Sequence, residues 1–143
     1  MTNLWSQLLF AVALVESGGD PRARNEGEGA VGLLQIRQCC VDDLNRVHGT
    51  GYKLRDFYDT RLSKWAFVEY GQMWGARTPE QYARIWNGGP RGCEKRGTRA
   101  YWEKVLTAIR GRTPILTLRR GRNKEKRDDY RTNPRHTEAR PRP

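Results

Sequence analysis

One carboxylate in this sequence stands where a carboxylate is costly. Residues 3–16 carry Trp5, Leu8, Leu9, Val12 and Val15 at the i, i+3, i+4, i+7 spacing of an amphipathic helix. Glu16 follows Trp5 by eleven positions. Eleven steps of about 100° return to within about 20°, so Glu16 lies along the stripe expected to bury Trp5 and Leu8. It also occupies the last turn, where the negative end of the helix dipole opposes an anion. Burial and dipole both disfavour the ionised form, and a Glu kept protonated near neutrality is a general acid. Asp20, Glu26 and Glu28 follow in a polar loop. A carboxylate roughly 6.5–9.5 Å from the acid could activate a water, whereas plain loop residues would only solvate the chain and shape turns. Cys39, Cys40 and Cys93 lack the paired spacing of a zinc site and read as reduced thiols in or beside the core. In an oxidising compartment a bridge from Cys93 to Cys39 or Cys40 stays open. His48 and His136 have no partner at ligand spacing, so no metal is expected. Residues 92–98 imitate a phosphate loop but lack the Lys after the second Gly.

The elements that must hold Glu16 read as helices. Ser17-Gly18-Gly19-Asp20-Pro21 stops the first. A Gly-rich stretch, RNEGEGAVG, leads to a short apolar strand or turn, LLQI, and a helix over about 40–48 follows. Residues 60–75 place Leu62, Trp65, Ala66, Glu69, Tyr70 and Met73 along one helical face. Thr78-Pro79-Glu80-Gln81 is a capping box with Pro at the first helical position. That helix is expected to run to about Trp86 and break at Asn87-Gly88-Gly89-Pro90. A last helix, capped by Thr98, carries Tyr101, Trp102, Val105, Leu106 and Ile109. No strand of alternating polarity and no internal repeat is found. The fold class expected is mostly α.

The 143 residues suffice for one modest domain, and no run of about 18–20 apolar residues offers a membrane span. The formal charge of +11 predicts attraction to polyanions, with nucleic acid, anionic lipid and acidic wall polymers all eligible. The charge is uneven. Residues 111–143 hold 11 Lys/Arg against 4 Asp/Glu, a net +7, with only Ile115, Leu116 and Leu118 as clustered aliphatics. Residues 1–110 hold every Trp, Cys and Phe. The expectation is therefore a folded body, 1–110, and a basic, largely disordered tail, 111–143. LLFAVALV near the N-terminus looks like a signal-peptide apolar region, but no Lys or Arg precedes it, so it is read as a helix and no signal peptide is expected.

Four segments in order, Val15-Glu16-Ser17-Gly18-Gly19, Gly29-Ala30-Val31-Gly32-Leu33-Leu34-Gln35-Ile36, Ile85-Trp86-Asn87-Gly88-Gly89-Pro90 and Ala100-Tyr101-Trp102-Glu103-Lys104-Val105, resemble the soluble-type lytic transglycosylases of the lysozyme-like superfamily. The Trp-Asn-Gly-Gly-Pro form is nearest to the phage-type variant, and the resemblance spans residues 5–110. It implies a lysozyme-like helical domain that cuts the β-1,4 bond between N-acetylmuramic acid and N-acetylglucosamine in peptidoglycan glycan strands without a cofactor. Glu16 matches the single catalytic Glu, acid and then base, because the muramyl 6-hydroxyl attacks its own anomeric carbon and replaces a second carboxylate. Gln35 matches the Gln that reaches into the cleft. Asn25 falls where many members have a Ser supporting the substrate N-acetyl group. Asn87 matches the Asn of an AYNAGP-like segment, and Tyr101 the late Tyr that hydrogen-bonds the Glu. Read without the resemblance, these four are a surface turn residue, a loop Asn, a helix-terminating Asn with a left-handed backbone and a core aromatic. Trp86 stands where the family usually has Tyr, exchanging a hydroxyl for an indole able to stack on a sugar face. The gap from Glu16 to Gln35 is one residue longer than the family pattern.

Two alternatives accompany this reading. The first is an inverting muramidase with Asp20, Glu26 or Glu28 as the base, as in goose-type lysozyme relatives. The second is a nucleic-acid binder using the Arg-rich tail, or a catalytically silent wall-binding virion protein. The place of action expected is the bacterial cell wall, in the periplasm or reached from a virion. An endolysin, a virion-associated enzyme, or a protein joined through its basic tail to a phage or secretion assembly would each fit.

Overall fold

The first helix starts on an Asn cap. Asn3 Oδ1 accepts the Ser6 N–H at 2.8 Å, meeting one of the amide groups the first turn leaves unpaired. In the computed structural model, which describes residues 3–111, this helix, α1, spans Leu4–Ser17. Gly18 ends it at φ 68°, and the Gly18 and Gly19 N–H groups return to Leu14 and Ala13 carbonyls, a left-handed stop that glycine takes without strain. A hairpin of two-residue strands follows, β1 Arg24–Asn25 antiparallel to β2 Ala30–Val31, with Arg24 opposite Val31. The residues after it close on themselves, since Val31 and Ile36 exchange both backbone hydrogen bonds at 3.0 Å. Then come α2 Gln38–His48, a 3₁₀ turn Leu54–Tyr58, α3 Thr60–Met73, α4 Pro79–Gly88, a second 3₁₀ turn Gly92–Glu94 and α5 Gly97–Ile109.

The mostly α expectation holds. Helix α1 packs on α5, and α4 on both α5 and α3. The core between them includes Leu8, Val12, Leu34, Val41, Phe57, Phe67, Tyr70 and Val105. Burying side chains of this size contributes about 1.5–3 kcal/mol each. Among the described residues no helix is long and apolar enough to cross a membrane. The segment 111–143 lies, beyond Gly111, outside the described residues, as do His136, Ile115, Leu116 and Leu118.

Several expectations are corrected. The stripe of α1 is centred on Leu8, Ala11, Val12, Val15 and Glu16, while Trp5 is 42% exposed and only edges onto the Tyr82 ring, at 4.7 Å. Trp5 belongs to the first turn of α1. The sequence pattern does not predict the hairpin, because a ladder two residues long is too short to show alternating polarity. The capping box forms as read, Thr78 Oγ1 accepting the Gln81 N–H and Gln81 Oε1 the Thr78 N–H. The helix it starts nevertheless keeps Asn87 and Gly88 and stops at Gly89, so Asn87 is helical and not left-handed. Helix α5 is capped at Arg96, and Thr98 lies inside its first turn. There the Thr98 hydroxyl donates to the Gly92 carbonyl at 2.6 Å and accepts from Arg84 Nε at 2.9 Å, work done toward the 3₁₀ turn and not toward α5's own amides.

Candidate functional site

Glu16 occupies the last turn of α1 and is 4% exposed. The Tyr101 hydroxyl, from the first half of α5, donates to its Oε1 at 2.8 Å across 85 positions of sequence. This contact follows from the close packing of α1 on α5. Burial first, then the charge of Glu16 and the hydrogen bond to it, push the Tyr101 phenol well above its ordinary value of 10.0, with the Arg37 guanidinium pulling the other way. Tyr101 is thus held as a neutral donor on the carboxylate.

The neighbouring residue anchors the helix end. Ser17 Oγ donates to the Leu33 carbonyl at 2.7 Å and accepts the Asp20 N–H at 3.1 Å, tying α1 to the turn over Leu33–Ile36 and to the loop start. From the other side the Trp86 indole N–H donates to the Leu34 carbonyl at 2.9 Å. Two consecutive carbonyls of one turn are therefore gripped by α1 and α4. Gln35 comes next and carries φ 55°, the positive value that non-glycine residues seldom adopt outside strained or functional positions. Its Nε2 donates to Gly32 O at 2.9 Å and to Ala23 O at 3.2 Å, while its Oε1 is buried without a hydrogen-bond donor among the described residues. Left unmet, such an acceptor costs about 1–3 kcal/mol.

The residues read from the sequence are placed differently from one another. Glu16 and Tyr101 are in direct contact, and Gln35 shares a turn with the carbonyls held by Ser17 and Trp86. Trp86 is only 7% exposed, its ring packed at 5.3 Å from Phe67 and 6.1 Å from Tyr70, so a sugar-stacking face is replaced by a core indole whose N–H positions the turn. Asn25 lies in β1, where its Oδ1 accepts the Glu28 N–H at 3.3 Å and shapes the hairpin. Asn87 is buried in the last turn of α4. The loop carboxylates divide sharply. Asp20 is exposed, its Oδ1 accepting the Arg22 N–H, and Glu26 is 78% exposed, paired with Arg24 at 2.9 Å. Glu28 is only 14% exposed and faces Arg37 at 3.5 Å.

The sequence pattern assigns no role to Ser17 or Arg37. For Ser17 the signal was available, a hydroxyl right after the acid at a helix end. For Arg37 nothing local distinguishes it from the other basic residues. Cys39, Cys40 and Cys93 form no disulfide, and burial pushes the Cys40 thiol well above its ordinary 9.0.

Residues 1–63, which include Glu16, Asn25, Gln35 and Arg37, match the family described as Transglycosylase SLT domain. The chain is 69% identical over 26 residues to a protein of Magallana gigas named Lysozyme, a stretch covering 18% of this chain and 19% of that protein. No solved structure matches the chain.

Proposed function

We propose that this protein, whose residues 1–63 match the family described as Transglycosylase SLT domain, cleaves the β-1,4 bond between N-acetylmuramic acid and N-acetylglucosamine in peptidoglycan, as a lytic transglycosylase with Glu16 as acid and then base. The observation that carries this reading is a carboxyl at a helix end, 4% exposed and hydrogen-bonded by the Tyr101 hydroxyl. Protonated Glu16 gives its proton to the glycosidic oxygen as the C1–O4 bond breaks. The resulting carboxylate takes the proton of the muramyl 6-hydroxyl, whose oxygen closes on C1 and leaves a 1,6-anhydro ring. No water is consumed, and the nucleophile is part of the substrate, an arrangement with effective molarities of about 10⁵–10⁸ M. Tyr101 steadies the carboxylate in the interval.

Gln35 is the proposed polar contact beyond the acid, since a strained backbone and a buried acceptor without a donor are features that sites retain and surface turns do not. Asn25 and Asn87 remain proposed substrate contacts, and Trp86 acts through the turn it holds. The substrate would set the place of action at the bacterial cell wall. The body, 1–110, would do the chemistry, and 111–143 would supply cationic attraction to wall polymers. Mass spectrometry of soluble products from purified sacculi tests the reading. Anhydromuramyl ends are expected. Fragments heavier by one water would reject the transglycosylase step, and absence of soluble fragments would reject cleavage.

A further inference from the structure

Helix α5 carries Tyr101 to Glu16, but its own first turn does little to fix where it begins. Arg96 holds the cap position with a helical backbone, and its side chain caps none of the first-turn amides. A helix start without a side-chain cap frays readily. The tie comes from α4. Arg84, 8% exposed within that helix, donates from Nε to Thr98 Oγ1 at 2.9 Å and from Nη2 to the Cys93 and Lys95 carbonyls at 2.6 and 3.3 Å. Its Nη1 meets Glu80 Oε1 at 3.0 Å, so the charge is compensated one turn back on the same helix. Close packing supports the joint, since a Cβ on Gly92 would strike the Arg84 carbonyl and one on Gly88 the Thr98 methyl. Thr98 and Tyr101, both buried, are three positions apart and therefore neighbours on one face of α5. Tyr101 then donates to Glu16 Oε1 at 2.8 Å.

We propose that Arg84 is a positioning residue for the cleavage reaction, pinning the start of α5 through Thr98 so that the Tyr101 hydroxyl stays on Glu16 while charge appears there. The proposal rests on the glycan-cleaving reading above. A guanidinium suits the task because its donors form a rigid planar fork, which here serves a hydroxyl and two carbonyls at once. Without the fork the first turn of α5 opens more often, and Tyr101, one turn further on, spends less time within hydrogen-bond distance of the carboxylate. A misplacement of about 1 Å is enough to cost a catalytic group much of its effect. Tyr101 acts on the carboxylate that forms as the bond breaks, so the loss belongs to kcat and not to KM.

The test uses the full chain with Arg84→Met, which keeps an unbranched side chain without the donors, and Thr98→Val, which keeps the shape without the hydroxyl, each alone and combined with Tyr101→Phe. On short soluble glycans Arg84→Met is expected to lower kcat by roughly threefold or more, and by no more than Tyr101→Phe does, with KM within about twofold of the parent. When Tyr101 is already Phe, Arg84→Met should change kcat by less than about twofold, because the two residues act through one contact. A residue that only stabilises the fold would give the same factor in both backgrounds, and that result overturns the proposal, as does an unchanged kcat in folded Arg84→Met. Hydrogen exchange followed by mass spectrometry supplies the second reading. Exchange should quicken by roughly tenfold or more over residues 97–102 and stay at the parent rate in α3, whereas uniform quickening in every helix overturns the proposal. Should Arg84→Met fail to fold, Thr98→Val is read by the same two measurements with the same outcomes. Failure of the underlying reading looks different, since the parent itself would then release no soluble fragments from sacculi while exchange over 97–102 still responded to Arg84.

Discussion

A buried acid is informative only with its partner. Glu16 is sheltered by α1's packing, and the group that reaches it is a phenol whose own ionisation is suppressed. Glu16→Gln keeps shape and volume but cannot donate a proton, so lysis of sacculi followed by turbidity should fall by about 10²-fold or more with the thermal transition intact. Tyr101→Phe should slow lysis by roughly tenfold or more, since a donor aimed at a charge that appears during reaction contributes up to about 10²–10³. The same residue sets a pH dependence of stability. Its folded value lies above the ordinary 10.0, so the folded chain keeps a proton that the unfolded chain loses as pH rises past about 10. Stability from this group is therefore complete below that pH and declines above it. Cys40 adds a decline of the same sign from about its ordinary 9.0. Urea titrations between pH 8 and about 11 should show the loss, and Tyr101→Phe should make it shallower.

At the scale of elements, the turn after β2 matters more than its length suggests. It brings Leu33, Leu34 and Gln35 against α1 and α4, and it depends on Gly32, whose φ is 78° and whose N–H donates to Ala23 O at 2.8 Å. A Cβ there would collide with the Phe57 carbonyl oxygen, backbone that cannot swing aside. Gly32→Ala should destabilise by about 2–3 kcal/mol, read in urea unfolding, and depress lysis beyond that loss because Gln35 and its neighbours move together. The motif around Gln35 was legible as a short strand or turn. Its left-handed backbone was not, because φ at a non-glycine residue is imposed by the contacts on either side, here Ser17 and Trp86, which are 18 positions before and 51 after it.

For the whole molecule, the net charge is weighted toward residues 111–143, whereas the proposed chemistry lies before them. The segment 111–143, with its net +7, contains none of the proposed site residues, the last of which is Tyr101. Truncation after Arg110 should leave cleavage of short soluble glycans nearly unchanged. On intact sacculi it should slow lysis at low salt and matter little at high salt, since attraction is screened over about 10 Å at 0.1 M. Equal low-salt lysis curves for the two forms would reject the targeting role, and loss of folding would move the domain boundary C-terminally.

Local pattern by itself determined the helices, the Thr78 capping box, the Gly18 stop and the position of Glu16 on the buried face of α1, because 3.6-residue periodicity and capping chemistry act within a few residues. Which residues meet Glu16 was a matter of tertiary structure. Tyr101 reaches it from 85 positions away through the packing of α5 on α1. Trp86 looked like a sugar platform by residue type and became a core ring through Phe67 and Tyr70. Asp20, Glu26 and Glu28 were equivalent as letters, and only the fold separated them, by sheltering Glu28 and setting Arg37 against it. Burial and long-range pairing depend on how helices close over one another, and no window of sequence contains both partners.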